Sequence, residues 1–304
     1  MTQQRGPNIA ASIHRRLLNK ARETDRPFNE LLQYFAMERF LYRLSRSPHA
    51  GKFVLKGALM LTVWQAPATR PTMDIDLLGI TDNSIDAIVA VMKDVCMQAV
   101  EADGWIFDPD SVSAERIVED ADYAGVRVLL RGILGTARIA LQIDIGFGDV
   151  VVPGPEMADY PTILELPAPR LRGYTRESAV AEKFEAMVRL GRVNSRVKDF
   201  FDIWLLTRQF DFDGRTLAQA IERTFSTRGT TIPADPLALT GNFAREPARQ
   251  TRWQGFVRKN RLQHVPPGFA DIVTAIETFL GPVTRALAAG DAFEGFWKAP
   301  GPWQ

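Results

Sequence analysis

Apolar residues along the 304-residue chain recur at two periods, and the switches between them divide it into segments. Leu31, Leu32, Phe35, Phe40, Leu41 and Leu44 follow helical spacing, and Ser47-Pro48 closes the run, so residues 8–47 read as two helices. Phe53-Val54-Leu55 is a short apolar strand that breaks at Lys56-Gly57. Ile85, Ile88, Val89, Met92, Cys96 and Ala99 make the apolar stripe of a further helix, capped by Asn83 or Ser84. Alternation of period two sets in over Ala124–Leu130 and again over Ala137–Asp144, and a Gly132–Thr136 turn joins the runs as a hairpin. A link with Pro153, Pro155, Pro161, Pro167 and Pro169 then leads to a mostly helical remainder from about residue 175. The expected organisation is an N-terminal helical segment (1–50), an α/β core (51–170) and a mainly helical C-terminal part (171–304). The fold class is α/β (α+β), built on a small mixed sheet.

The strand register singles out three acids. In Met73-Asp74-Ile75-Asp76-Leu77, side chains alternate between faces, so Asp74 and Asp76 share one face while Ile75 and Leu77 turn to a core. Neighbouring carboxylates repel unless a cation lies between them, and hard divalent ions take oxygen ligands. Two solvated acids at a strand end would look the same from this Asp-x-Asp pattern alone. In the second hairpin strand Ile139, Leu141, Ile143 and Ile145 take one face and leave Gln142 and Asp144 on the other. Asp144 reads either as an exposed strand residue or as a third metal ligand, if its strand lies beside that of Asp74 and Asp76. Lys183 falls in a helix beside Val180, Phe184, Met187 and Val188, where its stem can also snorkel over a core. Asp199 and Asp202 share a stripe of a helix over 195–206 capped by Ser195, with Arg196 and Lys198 as candidate neutralising partners.

Composition narrows the class. Hydrophobic residues at 46% and charged ones at 24% suit a globular protein with a sizeable core. There is no unbroken apolar run of membrane-spanning length, and the polar start Met1-Thr2-Gln3-Gln4-Arg5 lacks a signal-peptide core. The lone Cys96 excludes a disulfide framework within the chain, and a cytoplasmic setting is expected. His14, His49 and His264 are too scattered for a ligand set, and no dinucleotide or nucleophile-elbow motif is present. The net charge of +1 conceals an acidic middle between basic flanks. Five Lys/Arg face eighteen Asp/Glu over Asp74–Glu165, whereas Arg245–Arg261 holds six basic residues and one acid. Such flanks are solvated helix faces or seats for a polyanion, with Arg15, Arg16, Arg258 and Lys259 as the candidate phosphate contacts. Trp253–Arg261 interleaves aromatics with cations, as a single-stranded nucleic-acid binder does, or as a helix anchored by its aromatics.

Lys56-Gly57 after an apolar strand, Arg70-Pro71-Thr72-Met73-Asp74-Ile75-Asp76, Gln142-Ile143-Asp144-Ile145-Gly146, Ala181-Glu182-Lys183-Phe184-Glu185-Ala186 and Ser195-Arg196-Val197-Lys198-Asp199-Phe200-Phe201-Asp202 stand in the order found in a known family. Over roughly residues 35–210 the chain resembles the AbiEii/MenT-type nucleotidyltransferase toxins of bacterial toxin–antitoxin pairs. The resemblance implies a polymerase-β-like nucleotidyltransferase sheet. It also implies transfer of NMP from an NTP to an RNA 3′ end, the acceptor stem of tRNA, with growth inhibition as the result. Mg²⁺ or Mn²⁺ would be held by Asp74, Asp76 and Asp144. Lys56, Gly57, Ala58, Thr72 and Lys183 would contact the nucleotide, and Asp74, Asp76, Lys183 and Asp202 would be the catalytic set, Asp202 as a base or a site organiser and Asp199 as a structural acid. The expected partners are tRNA or another RNA and a cognate antitoxin. Ala58-Leu59 departs from the family's second glycine and hydroxyl, which removes a side-chain phosphate contact. Thr72 either touches a phosphate or is a plain β-former. Two other readings remain: NMP transfer to a protein or small molecule, and a GTP- or partner-binding module with a degenerate site.

Overall fold

The computed structural model describes residues 9–66, 70–119 and 123–304, so the polar start at Met1–Arg5 lies outside the described residues. It comprises two compact units, one of Met1–Trp64, Thr72–Gly148 and Glu156–Gly173, the other of Gln65–Pro71, Asp149–Pro155 and Tyr174–Gln304. The N-terminal helices thus belong to the same unit as the sheet.

In the first unit α1 (Ile9–Thr24) and α2 (Phe28–Arg46) are followed by β1 (Phe53–Lys56), α3 (Leu59–Val63), β2 (Asp74–Gly79) and α4 (Ile85–Met97). The long strands β3 (Trp105–Glu119), β4 (Tyr123–Leu134) and β5 (Ala137–Phe147) come next, then the short β6 (Glu156–Asp159) and β7 (Arg170–Gly173). They form one seven-stranded mixed sheet in the order β3-β4-β5-β2-β1-β7-β6, parallel only at β2/β5 and β1/β7. Ile75, Leu77, Val126, Val128, Ile143 and Ile145 are wholly buried on one face. Helix α2 covers that face, with Phe35 against Trp105 and Phe40 edge-on to Phe107. Three of its charged residues, Glu38, Arg39 and Arg43, are buried too: Arg43 donates to both oxygens of Asp103, at 2.7 and 3.0 Å, and the Glu38 carboxylate accepts from Ile163 N.

The hairpin turn is tighter than the sequence suggested. Gly135, at φ +61°, and Thr136 alone connect β4 to β5, because glycine reaches the positive φ such a turn needs. Strand β3 was not anticipated. Its pairing with β4 slips between Asp108 and Ser113, where Pro109 cannot donate to a ladder and polar neighbours interrupt the alternation. Helix α4 starts after Ser84, yet the Ser84 side chain makes no capping bond; its N–H instead donates to Asp82 Oδ1.

The second unit is mainly helical: α5 (Arg176–Leu190), α6 (Val197–Gln209), β8 (Phe212–Asp213), α7 (Gly214–Thr227), α8 (Gly241–Ala244), α9 (Pro247–Lys259), α10 (Phe269–Ala289) and β9 (Phe296–Trp297). Helix α10 is long and apolar enough to cross a membrane, but Ile272, Ile276, Phe279, Leu280 and Val283 are buried within the unit. Phe279 packs against Phe212, Trp297 and Trp303, so the C-terminal tail is folded onto this helix. The cap expected at Ser195 is absent. Asn194 Oδ1 accepts from Arg196 N, and the helix begins two residues later than expected, at Val197.

Candidate active site

The pairing register assembles a row of charges across the face opposite the core. Lys56 on β1 stands across from Asp76 on β2, Asp76 beside Asp144 on β5, Asp144 across from Arg127 on β4, and Arg127 across from Glu115 on β3. Two residues along β2, Asp74 lies beside Gln142. The parallel pairing of β2 with β5 is therefore what brings the three acids together. One carboxylate oxygen from each lies within 4.8 Å of the other two. Like charges so close repel, and a cation among them or a proton on one of them relieves the repulsion.

Each acid is held in a different way. Arg127 donates from Nε and Nη2 to the two oxygens of Asp144, 2.8 Å each, and Gln142 Nε2 adds a bond of 3.1 Å. That carboxylate in turn raises the guanidinium pKa of Arg127. Thr72, whose N–H donates to the Tyr34 hydroxyl, gives its own hydroxyl hydrogen bond to Asp74 Oδ1. Gly57 has φ +71°, and a Cβ there would lie 1.9 Å from Asp76 Oδ2. Only glycine leaves Asp76 its room. Lys56 is buried, and so are Ala58 and Leu59, which turn into the core. The donor set is all oxygen, which suits a hard divalent cation such as Mg²⁺ or Mn²⁺.

Lys183, Asp199 and Asp202 come together in the other unit, with Arg70. The Arg70 guanidinium donates to both oxygens of Asp202 at 2.9 Å, and Lys183 Nζ on α5 lies 2.8 Å from Asp202 Oδ2. Lys183 is also 3.5 Å from Asp199 Oδ1, while Arg196 Nε sits 2.7 Å from Asp199 Oδ2 but off the hydrogen-bonding direction. Burial pushes the Asp202 carboxyl up, but Lys183 and Arg70 outweigh it and hold the group at about 2. Burial likewise opposes the charge on Lys183, and the two aspartates overcome it, so its pKa rises. The neutralising partners expected from sequence thus change: Arg196 does pair with Asp199, but Lys198 is exposed and its place is taken by Lys183 and Arg70.

The flanking cations join neither cluster. Arg15 is exposed and Arg16 half-buried on α1, and Arg258 and Lys259 are exposed at the end of α9. Trp253 is wholly buried and donates to Pro266 O, which makes it an anchor of α9. Sequence reasoning missed Arg70 as a partner of Asp202 and Arg127 as the partner of Asp144. Arg127 was readable: a two-residue turn at Gly135-Thr136 sets Asp144 opposite it.

Residues 39–275 match the family described as nucleotidyl transferase AbiEii toxin, type IV TA system. The chain belongs to this family. This AbiEii-family protein is accordingly a nucleotidyltransferase of the toxin–antitoxin kind, and membership implies an NTP substrate, a divalent metal in general and a cognate antitoxin. Two crystal structures are similar to it. One is of a candidate nucleotidyltransferase from H. pylori (15% identity, TM-score 0.44, covering 86% of this chain and 96% of that one). The other is JHP933 from Helicobacter pylori (16% identity, TM-score 0.45, covering 86% and 93%). No curated protein matches the AbiEii-family chain.

Proposed function

We propose that this nucleotidyltransferase moves NMP from an NTP to an RNA 3′ end, the acceptor stem of tRNA, with Mg²⁺ as the metal and growth inhibition as the outcome. The observation that carries the reading is the acidic face: Asp74, Asp76 and Asp144 within 4.8 Å, with Lys56 and Arg127 on either side in the ladder. The family resemblance and the basic flanks support RNA; tRNA and growth inhibition rest on the resemblance alone.

Asp74, Asp76 and Asp144 would hold the metal, which supplies polarisation of the attacking hydroxyl and charge for the departing pyrophosphate. The chain's own residues set up that site. Thr72 fixes the rotamer of Asp74, Gly57 leaves space for Asp76, and Arg127 aims Asp144. Lys56, across from Asp76, offers a positive charge to phosphate oxygens on the same face. Asp202 has both oxygens bonded to cations and a pKa of about 2, so it does not take the proton of the acceptor hydroxyl. We assign it the role of organiser, holding Arg70 and Lys183 in place.

Incubation with each α-phosphate-labelled NTP, Mg²⁺ and bulk RNA tests the proposal. Label on RNA, lost in Asp74→Ala and in Asp76→Ala, is the expected result. Each variant should fold, and its melting temperature without metal should match or slightly exceed wild type, since one repelling charge is gone. Retention of more than about a tenth of turnover, only ~1.4 kcal/mol of barrier, would rule out the metal assignment. Label on protein or on a small molecule would replace the acceptor.

A further inference from the structure

A groove of about 350 Å³ lies in the helical unit. Among the described residues four cations line it, Arg70, Arg196, Lys198 and Lys259, and no carboxylate does. The two arginines are fixed from behind: Asp202 grips Arg70, and Asp199 pairs with Arg196, both acids being about 1% exposed. The two lysines are different. Lys198 and Lys259 are exposed, and neither ammonium has an ion-pair partner among the described residues. Lys183 lies against the same two acids, so Lys198 and Lys259 add positive charge that neither Asp199 nor Asp202 pairs. Such a lining, with two cations held by acids and two facing solvent, attracts an anion.

The lining also identifies the anion. Phe256, braced by Phe201 and Trp253, is half-buried and offers ring surface beside the cations. Exposed Ser195 places a hydroxyl at the rim. Phosphates with an aromatic platform and a hydroxyl beside them describe a single-stranded polynucleotide, whose bases stack while its backbone follows the charge, and a hydroxyl can pair with ribose 2′-OH. A metal-chelated triphosphate fits less well, because its cation needs carboxylate ligands and the lining has none. We infer that this groove seats the phosphates of single-stranded RNA. The inference rests on the proposed function for naming RNA rather than another polynucleotide.

The test compares Lys198→Glu/Lys259→Glu with Lys93→Glu/Lys298→Glu, which carries the same charge change at residues outside the groove. Anisotropy of a fluorescein-labelled single-stranded RNA 12-mer gives Kd, and labelled NTP gives the KM for RNA. The groove variant should lose about 10-fold or more in both, and its slope of log Kd against log salt should fall by about 1.4, since each phosphate contact on a single strand contributes ~0.7. Its NTP affinity should match the control. RNA binding equal to the control overturns the groove, even where wild type labels RNA. An equal loss of NTP affinity overturns it as well, since the groove would then hold the triphosphate. Lysine-dependent RNA binding by a wild type that places no label on RNA supports the groove while removing the proposed function.

Discussion

Arg127 occupies both oxygens of a carboxylate that the proposed metal also needs. Without metal, three acids within 4.8 Å would repel one another, and Arg127 offsets part of that repulsion at the cost of competing for Asp144. Its side chain is 34% exposed, so solvent screens the pair and its worth is about 1 kcal/mol. Arg127→Gln should therefore lower the metal-free melting temperature by roughly 2–4 °C. Added Mg²⁺ should restore more stability to the variant than to wild type, because the triad is then less neutralised and Asp144 is free. Thermal melts with and without Mg²⁺ measure both effects, and an unchanged Mg²⁺ increment would remove Asp144 from the metal site. The residue also shows where sequence reading stopped. Period-two alternation was enough to place Asp74, Asp76 and Asp144 on core-opposed faces, but Arg127 depends on the register, and placing the turn over Gly132–Thr136 pairs it with another residue.

Ion pairs join elements in both units, and they carry predictions of stability. Asp202 ties α6 to Lys183 of α5 and to Arg70 of the 65–71 segment. Its carboxyl, ordinarily near 3.8, sits at about 2 in the folded chain. A depressed carboxylate contributes stability that is complete above its unfolded pKa and is lost as pH falls through the folded one. Roughly 2 kcal/mol should therefore disappear between about pH 4 and pH 2, a loss that Asp202→Asn abolishes in denaturant titrations. The same substitution leaves Arg70 and Lys183, whose side chains are only 10% and 17% exposed, short of a partner, so it should cost about 3–5 kcal/mol at pH 7 as well as transfer activity. Asp199→Asn should cost less, because Lys183 keeps its shorter contact with Asp202. The reverse order in paired melts would place the main anchor at Asp199. In the sheet unit, Asp103→Asn should likewise cost about 3–5 kcal/mol, since it strips the buried Arg43 of its bidentate partner. Elements with clean periodicity, such as α2, α4 and β5, were legible in the sequence. Strand β3 was not, because Pro109 and the polar residues around it break the pattern at the bulge, and the short β6 and β7 offer too few residues for a period to show.

Over the whole molecule, charge is segregated by unit. The acidic stretch from Asp74 to Glu165 falls mostly in the sheet unit, and the basic run Arg245–Arg261 lies in the helical one. Not all of that run is available to a ligand. Arg249 is buried, donating to Asn194 O and Arg192 O and lying 3.4 Å over Phe243, so it is a structural tie. Arg258 and Lys259 remain at the surface, as do Arg15 and, in part, Arg16 on α1. Net charge gave no hint of this division, whereas counting by segment did; only the structure separates a cation that braces a loop from one that faces solvent. If RNA is the acceptor, its use depends on cations of the second kind. Raising salt should then lower RNA affinity linearly on a log–log plot, with a slope of about −0.7 for each single-strand phosphate contact. Arg15→Glu/Arg16→Glu and Arg258→Glu/Lys259→Glu should each raise the KM for RNA and flatten that slope, with NTP affinity nearly unchanged. The slopes also rank the flanks, because the pair that contacts more phosphates removes more of the dependence. A protein or small-molecule acceptor releases few counterions on binding, so a salt response already flat in wild type would exclude a polyanionic acceptor for this nucleotidyltransferase.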